Sequence, residues 1–298
     1  MVNRFDSRPI VTFHYRDFPL GDLVEAKGDQ VVSVCIPAHD EAATVGVVVD
    51  KLRLHLMERA PLVDEILVLD DHSSDATADV AAAAGARVVQ AAEVLPQIAG
   101  GNGKGEALWR SLHAASGDIV AWCDADITDF GARFVIGLLG PLLTRPDIAF
   151  VKGYYERPME TGDTGGRTTE LMARPLLATL FPYLATIKQP LSGEYAGRRS
   201  LLEQLPFVRG YGVDLAMLID VAEVAGTPAI AQCDLGTRRH RNRQLDELGP
   251  QALVVLQAAL NRAGVPSADP AVLVRPGRDD LPVVIVELPP LAALVAEA

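Results

Sequence analysis

Short, almost wholly apolar runs alternate with helical stretches through the first half of the chain. VVSVCI (31–36) is β-branched and apolar at nearly every position, the pattern of a strand buried on both faces. A helical stretch follows over 41–58, then a second strand, EILVLDD (65–71), which ends in two aspartates. The next helix is predicted over 74–84, with Ser73 or Ser74 as its N-cap. ARVVQ (86–90) reads as a third strand, GNGKGEALWRSLHAA as a glycine-rich turn entering a helix, and DIVAWCDAD (118–126) as a fourth strand ending in acids. This β-α-β-α-β order predicts an α/β fold with a mostly parallel, doubly wound, twisted sheet flanked by helices.

The second half is less regular. IAFVKGYY (148–155) is a strand, a helix begins near Thr169, another covers 214–225, and PAIAQCDLG (228–236) is a further strand. The basic segment TRRHRNR (237–243) precedes one more helix, and RPGRDDLP (275–282) reads as a linker. The pattern is that of a single domain over 1–298, with a regular α/β half (30–130), a less regular half (131–260) and a C-terminal tail (261–298). Within the tail, VVIVELPPL is either an added strand or a dimer arm.

In open parallel sheets ligands bind beyond the carboxyl ends of the strands. The polar residues gather there: Pro37, His39, Asp40 and Glu41 after the first strand, Asp70 and Asp71 after the second, Asp124 and Asp126 after the fourth. Carboxylates from three strand ends are therefore expected along one rim.

Composition narrows the partners. Against 27 Lys and Arg stand 39 Asp and Glu, a net charge of −12, which disfavours a nucleic-acid binder. Aromatics make up only 5% of the chain, so Ala, Val and Leu must fill the core. Cys35, Cys123 and Cys233 are far apart and form no CxxC pair, which points to buried free thiols in a reducing compartment. No apolar run approaches the roughly 20 residues that span a bilayer. The N-terminal MVNRFDSRPI has no apolar signal region, so a soluble, cytoplasmic protein with no membrane partner is expected.

Asp124-Ala125-Asp126 is the strongest local signal: two carboxylates one residue apart can divide a ribose and a hard divalent cation between them. Lys104, in GNGKGEALW at a helix start, suits a phosphate, although GxxxxGK[ST] is absent and this is no Walker loop. Asp70-Asp71 can meet a base or a ribose, or simply form a turn. Arg238, Arg239, Arg241 and Arg243 surround His240 in an acidic chain, a cluster that fits a small anionic substrate or a solvated loop. Gly165 to Thr169 offers backbone N–H groups, hydroxyls and a guanidinium for a second anion.

These stretches, together with CIPAHDEAATVG, ILVLDDHSSDAT, LSGEYAGRR, RGYGVDLAMLID and GTRRHRNRQL, resemble the GT-A glycosyltransferases. More closely they resemble the retaining glucosyl-3-phosphoglycerate synthases, in the family's order over roughly 30–260. The resemblance implies a Rossmann-like GT-A sheet, a UDP-glucose donor, 3-phosphoglycerate as acceptor and a homodimer. It implies Mg²⁺ as cofactor, for which Mn²⁺ or Co²⁺ can substitute. Carried over by position, Pro37, Glu41, Asp71, Lys104 and Asp124 would hold the nucleotide sugar, and Asp126 with His240 the metal. Asp126, Lys104, Asp214 and Leu191 would be the catalytic residues, Leu191 through the backbone of Leu191-Ser192-Gly193. Gly166, Arg167, Thr169, Asn242 and Arg238 would bind the phosphoglycerate. The chain departs from the family where PAHDE replaces an asparagine before the glutamate, and where Asp214 is the shorter acid. A mannosyl-3-phosphoglycerate synthase using GDP-mannose, a sugar nucleotidyltransferase and a non-catalytic nucleotide-sugar binder are the alternatives.

Overall fold

A computed structural model of the chain describes residues 9–98, 100–101, 103–156, 166–239 and 245–295. Its nine strands up to residue 237 are β1 (Val11–His14), β2 (Val32–Ala38), β3 (Glu65–Asp70), β4 (Arg87–Gln90), β5 (Ile119–Trp122), β6 (Phe150–Glu156), β7 (Tyr195–Arg198), β8 (Phe207–Val208) and β9 (Ile230–Thr237). Eight of them form one sheet in the order β1-β9-β6-β7-β5-β2-β3-β4. Only β7 runs antiparallel to its neighbours, so the expected mostly parallel sheet is found.

Alternation along the buried strands builds two cores. Ile66 and Val68 of β3 and Ile119 and Ala121 of β5 face one apolar cluster, while Leu67, Leu69, Val120 and Trp122 face the other. Both faces are covered by helices, so these strands are apolar throughout rather than half polar. Each buried Val, Leu or Ile contributes roughly 1.5–3 kcal/mol relative to exposure.

Several boundaries differ from the sequence pattern. The helix expected over 41–58 starts at Val45 and continues from Leu52 into a wider turn over Arg53–Glu58. The helix expected over 74–84 is Thr77–Ala83, because Asp75 bonds the Thr77 N–H and hydroxyl and holds the preceding residues in a turn. β5 stops at Trp122, which leaves Asp124 and Asp126 in the turn beyond it. β1 and a helix over Leu20–Lys27 fill an N-terminal region where no element was expected.

The tail is not a detached extension. β10 (Ala271–Leu273) and β11 (Leu281–Val283) form a hairpin, and β12 (Glu287–Leu288) pairs antiparallel with β8. Trp109 Nε1 donates to the Pro289 carbonyl at 2.8 Å, and Leu288 and Leu291 are buried in the core. Of the two readings of VVIVELPPL, its Glu287–Leu288 portion is an added strand on its own chain. Among the described residues no helix is long and apolar enough to cross a membrane.

The chain leaves β2 toward β3 and β4, then returns to place β5 on the other side of β2. That reversal opens a crevice at the carboxyl ends of β2 and β5, where such sheets bind ligands.

Candidate active site

A cavity of about 410 Å³ occupies this crevice. Pro37 near the end of β2 and Glu41 beyond it enter the cavity, Asp71 follows β3, Asp124 and Asp126 follow β5, and Lys104 opens the helix Lys104–Ala114. All six were predicted from sequence, and the structure brings them together. His39, expected at this strand end, also lines the cavity, as do Tyr211, Gly103 and Ala125, to which no role was assigned.

The loop before the helix is tied to the rim. Gly103 adopts φ +103°, a conformation that favours glycine, and donates its N–H to Asp71 Oδ2 at 2.9 Å. The Asp71 carboxylate also meets His72 Nδ1 at 3.0 Å, and the Asp71 carbonyl bonds His39 Nδ1 at 2.7 Å. That backbone bond, with the nearby aspartate charges, raises the His39 pKa.

Lys104 extends its ammonium between Asp124 Oδ1 (3.2 Å) and Asp214 Oδ2 (3.3 Å). Burial works to lower its pKa, but the charges of Asp124, Asp214 and Glu194 outweigh it, so the ammonium stays protonated. Burial would likewise raise Asp124, yet Lys104 and Arg238 hold it well below the usual carboxylate range. Glu41 is raised, first by burial and then by the charges of Asp126 and Asp124.

Arg238, expected to bind the acceptor, is not among the residues that line the cavity. Its side chain is buried beneath the acid pair, with Nη2 donating to Asp124 Oδ2 (2.9 Å) and Asp126 Oδ1 (2.8 Å). Nη1 donates to the Tyr155 hydroxyl at 2.6 Å and pairs with Glu194 at 3.2 Å. Glu194 is fully buried, and burial raises its pKa against the pull of Arg238. A guanidinium shared by Asp124 and Asp126 shows that the two carboxylates converge on one cation. Asp126 keeps 37% of its side chain exposed at the cavity, and oxygen donors of this kind suit a hard divalent ion. His240 and Asn242 lie outside the described residues. Among the described residues no three His, Cys, Asp or Glu side chains cluster around a metal position.

Asp214 opens the helix Val213–Ala225 and reaches the site through Lys104. Leu191 is half-buried against the core, and Ser192 donates to the Gly153 carbonyl, fixing the Leu191–Gly193 segment over β6. Gly166, Arg167 and Thr169 lie together ahead of and at the start of the turn Thr169–Ala173, outside the cavity lining.

Sequence reading missed Glu194, Tyr155 and Lys152. Lys152 is fully buried on β6, where burial pushes its pKa down to about 8. Its signal was a lysine inside the apolar run IAFVKGYY.

The family model for glycosyl transferase family 2 matches residues 33–206. The glucosyl-3-phosphoglycerate synthase of Mycobacterium tuberculosis is 48% identical over 265 residues, covering 86% of this chain and 81% of that protein. Its crystal structure in complex with Mn²⁺, UDP-glucose and phosphoglyceric acid is similar with a TM-score of 0.88 at 45% identity, covering 96% of this chain and 99% of that one. The structure of the same enzyme with Mn²⁺, UDP and glucosyl-3-phosphoglycerate also has a TM-score of 0.88 at 45% identity, covering 96% and 100%. A third, with Mg²⁺ and UDP, is as similar, again with a TM-score of 0.88 and 45% identity, covering 96% and 99%.

Proposed function

The chain belongs to glycosyl transferase family 2 and, within it, to the glucosyl-3-phosphoglycerate synthases, and from that membership we propose that it moves glucose from UDP-glucose to 3-phosphoglycerate. The observation that carries this reading is the Lys104 ammonium set between Asp124 and Asp214 at the cavity that the DxD pair lines.

UDP lies along the strand ends, with Pro37, Glu41 and Asp71 at its uridine end and Lys104 at its diphosphate. Asp126, with Asp124 beside it and His240 from the basic segment, holds the divalent cation. Bound there, Mg²⁺ or Mn²⁺ supplies positive charge to the departing diphosphate. Lys104 adds a second, fixed positive charge that needs no reorganisation during the reaction. Asp214, tethered to Lys104, faces the glucose hydroxyls. Gly166, Arg167, Thr169 and Asn242 grip the phosphoglycerate, lowering the entropic cost of bringing two anions together. Arg238 orients both carboxylates of the DxD pair.

The acceptor's 2-hydroxyl attacks the anomeric carbon on the face from which UDP leaves, so the configuration is retained. A new carbon–oxygen bond forms, the bond to the phosphate oxygen breaks, and that oxygen takes the hydroxyl proton. The backbone of Leu191-Ser192-Gly193 lines the reacting face. The protein works in the cytoplasm as a homodimer, independently of membranes and nucleic acids.

The deciding experiment measures UDP release from UDP-glucose with a panel of acceptors, with and without Mg²⁺, for the native enzyme and Asp126→Ala. Release that requires 3-phosphoglycerate and the cation, and that disappears in Asp126→Ala while the melting curve is kept, is the expected result. Native rates in that variant, or faster turnover with GDP-mannose, overturn the reading.

A further inference from the structure

Lys152 stands opposite Tyr195 in the β6–β7 ladder, with 1% of its surface exposed. Its ammonium donates to the Ser192 carbonyl at 2.9 Å and the Asp214 carbonyl at 3.4 Å, and lies 4.3 Å from the centre of the Tyr195 ring. Among the described residues no carboxylate oxygen comes within ion-pairing distance of it. A buried ammonium whose direct contacts are carbonyls and a ring face is costly, and such groups cluster at functional sites.

Those two carbonyls belong to two separate segments that both reach Lys104. Ser192 is in the segment whose Gly193 packs against Asp124 and Lys104. Asp214 is at the head of the helix whose carboxylate meets Lys104. The strand ends assigned to the uridine lie on β2 and β3, out of contact with the ammonium.

We propose that Lys152 is a positioning residue that ties the Ser192 segment to the Asp214 segment and so sets the width of the hexose subsite and its discrimination among UDP-hexoses. The inference rests on the UDP-glucose reading above. A clamp on the hexose alone leaves the nucleotide untouched, which separates it from general structural support.

Lys152→Met keeps the length of the side chain and removes its donors. The expected result is UDP affinity within about twofold of native, with the preference for UDP-glucose over UDP-galactose reduced by about tenfold or more, since a small misplacement of reacting groups is enough for such a loss. Parallel weakening of UDP and UDP-glucose, or an unchanged hexose preference, overturns the proposal. Lys152→Gln keeps an amide donor at nearly the same reach and is the second variant should Lys152→Met not fold. It should keep UDP affinity within about twofold of native while reducing the UDP-glucose preference by severalfold, and an unchanged preference, or equal weakening of UDP and UDP-glucose, overturns the proposal. Native enzyme that releases no UDP with 3-phosphoglycerate refutes the parent reading instead, whatever Lys152→Met does.

Discussion

Gly193→Ala tests how tightly the site is built. A Cβ at this position would fall inside 3.0 Å of both Asp124 carboxylate oxygens and 2.6 Å from Lys104 Nζ. Neither neighbour is a free tip. Asp124 is held by Lys104 and Arg238, and Lys104 is held by Asp214 as well. Making room therefore means giving up at least one charged contact or lifting the Leu191–Gly193 segment from β6. A hydrogen bond to a charged group contributes about 1.5–3 kcal/mol, and forcing extra volume into a packed site costs about 1–3 kcal/mol. Partial relaxation brings the expected loss to about 2–4 kcal/mol, which lowers the melting temperature of a chain this long by roughly 4–8 °C. Turnover should fall by about 100-fold, because in the proposed mechanism the displaced groups face the reacting atoms. Calorimetry and a UDP-release assay read the two effects. Gly21→Ala is the control: Gly21 is exposed on the helix Leu20–Lys27 with open space around its Cβ position, so alanine should stabilise by about 0.5–1 kcal/mol. A Gly193→Ala enzyme that melts within about 1 °C of native and turns over within about twofold would refute the reasoning, since such changes lie inside ordinary surface-mutation scatter.

Arg167→Ala should raise the KM for 3-phosphoglycerate more than the KM for UDP-glucose, and an equal rise in both would remove Arg167 from the acceptor subsite. The native protein at pH 8 should resist thiol labelling until it unfolds. Cys35, Cys123 and Cys233 are all buried, and burial pushes the Cys35 thiol up to about 12 and Cys123 well above its ordinary value. Labelling within seconds would show that at least one of these thiols is accessible.

The sheet's first half was legible because β2, β3 and β5 are covered on both faces and so appear as unbroken apolar strings ended by charges. The same ends marked Glu41, Asp71, Asp124 and Asp126, which line the cavity. β1 was invisible for the opposite reason: it is a four-residue edge strand, half exposed, with no apolar string to announce it. That β7 would insert antiparallel between β5 and β6 is a matter of tertiary pairing and has no local signature. Arg238 looked like any other residue of a basic run, and only packing identifies it as a buried counter-ion. Glu194 and Lys152 carried the reverse signal, single charges in apolar surroundings, which points to buried polar machinery without naming its partner.

The pairing of Trp109 with Pro289, and of β1 with β9, bears on how the chain is made. The helix that carries Lys104 cannot finish its packing until a segment 180 residues later arrives, and Val11 waits still longer for Ala231. On the ribosome the earlier part of the chain therefore waits as an incomplete core, with the Trp109 N–H lacking its Pro289 acceptor and β1 lacking its β9 partner. Such intermediates fold slowly and attract chaperones. Shortening the tail should consequently reduce the yield of native protein before it alters any step of the sugar transfer.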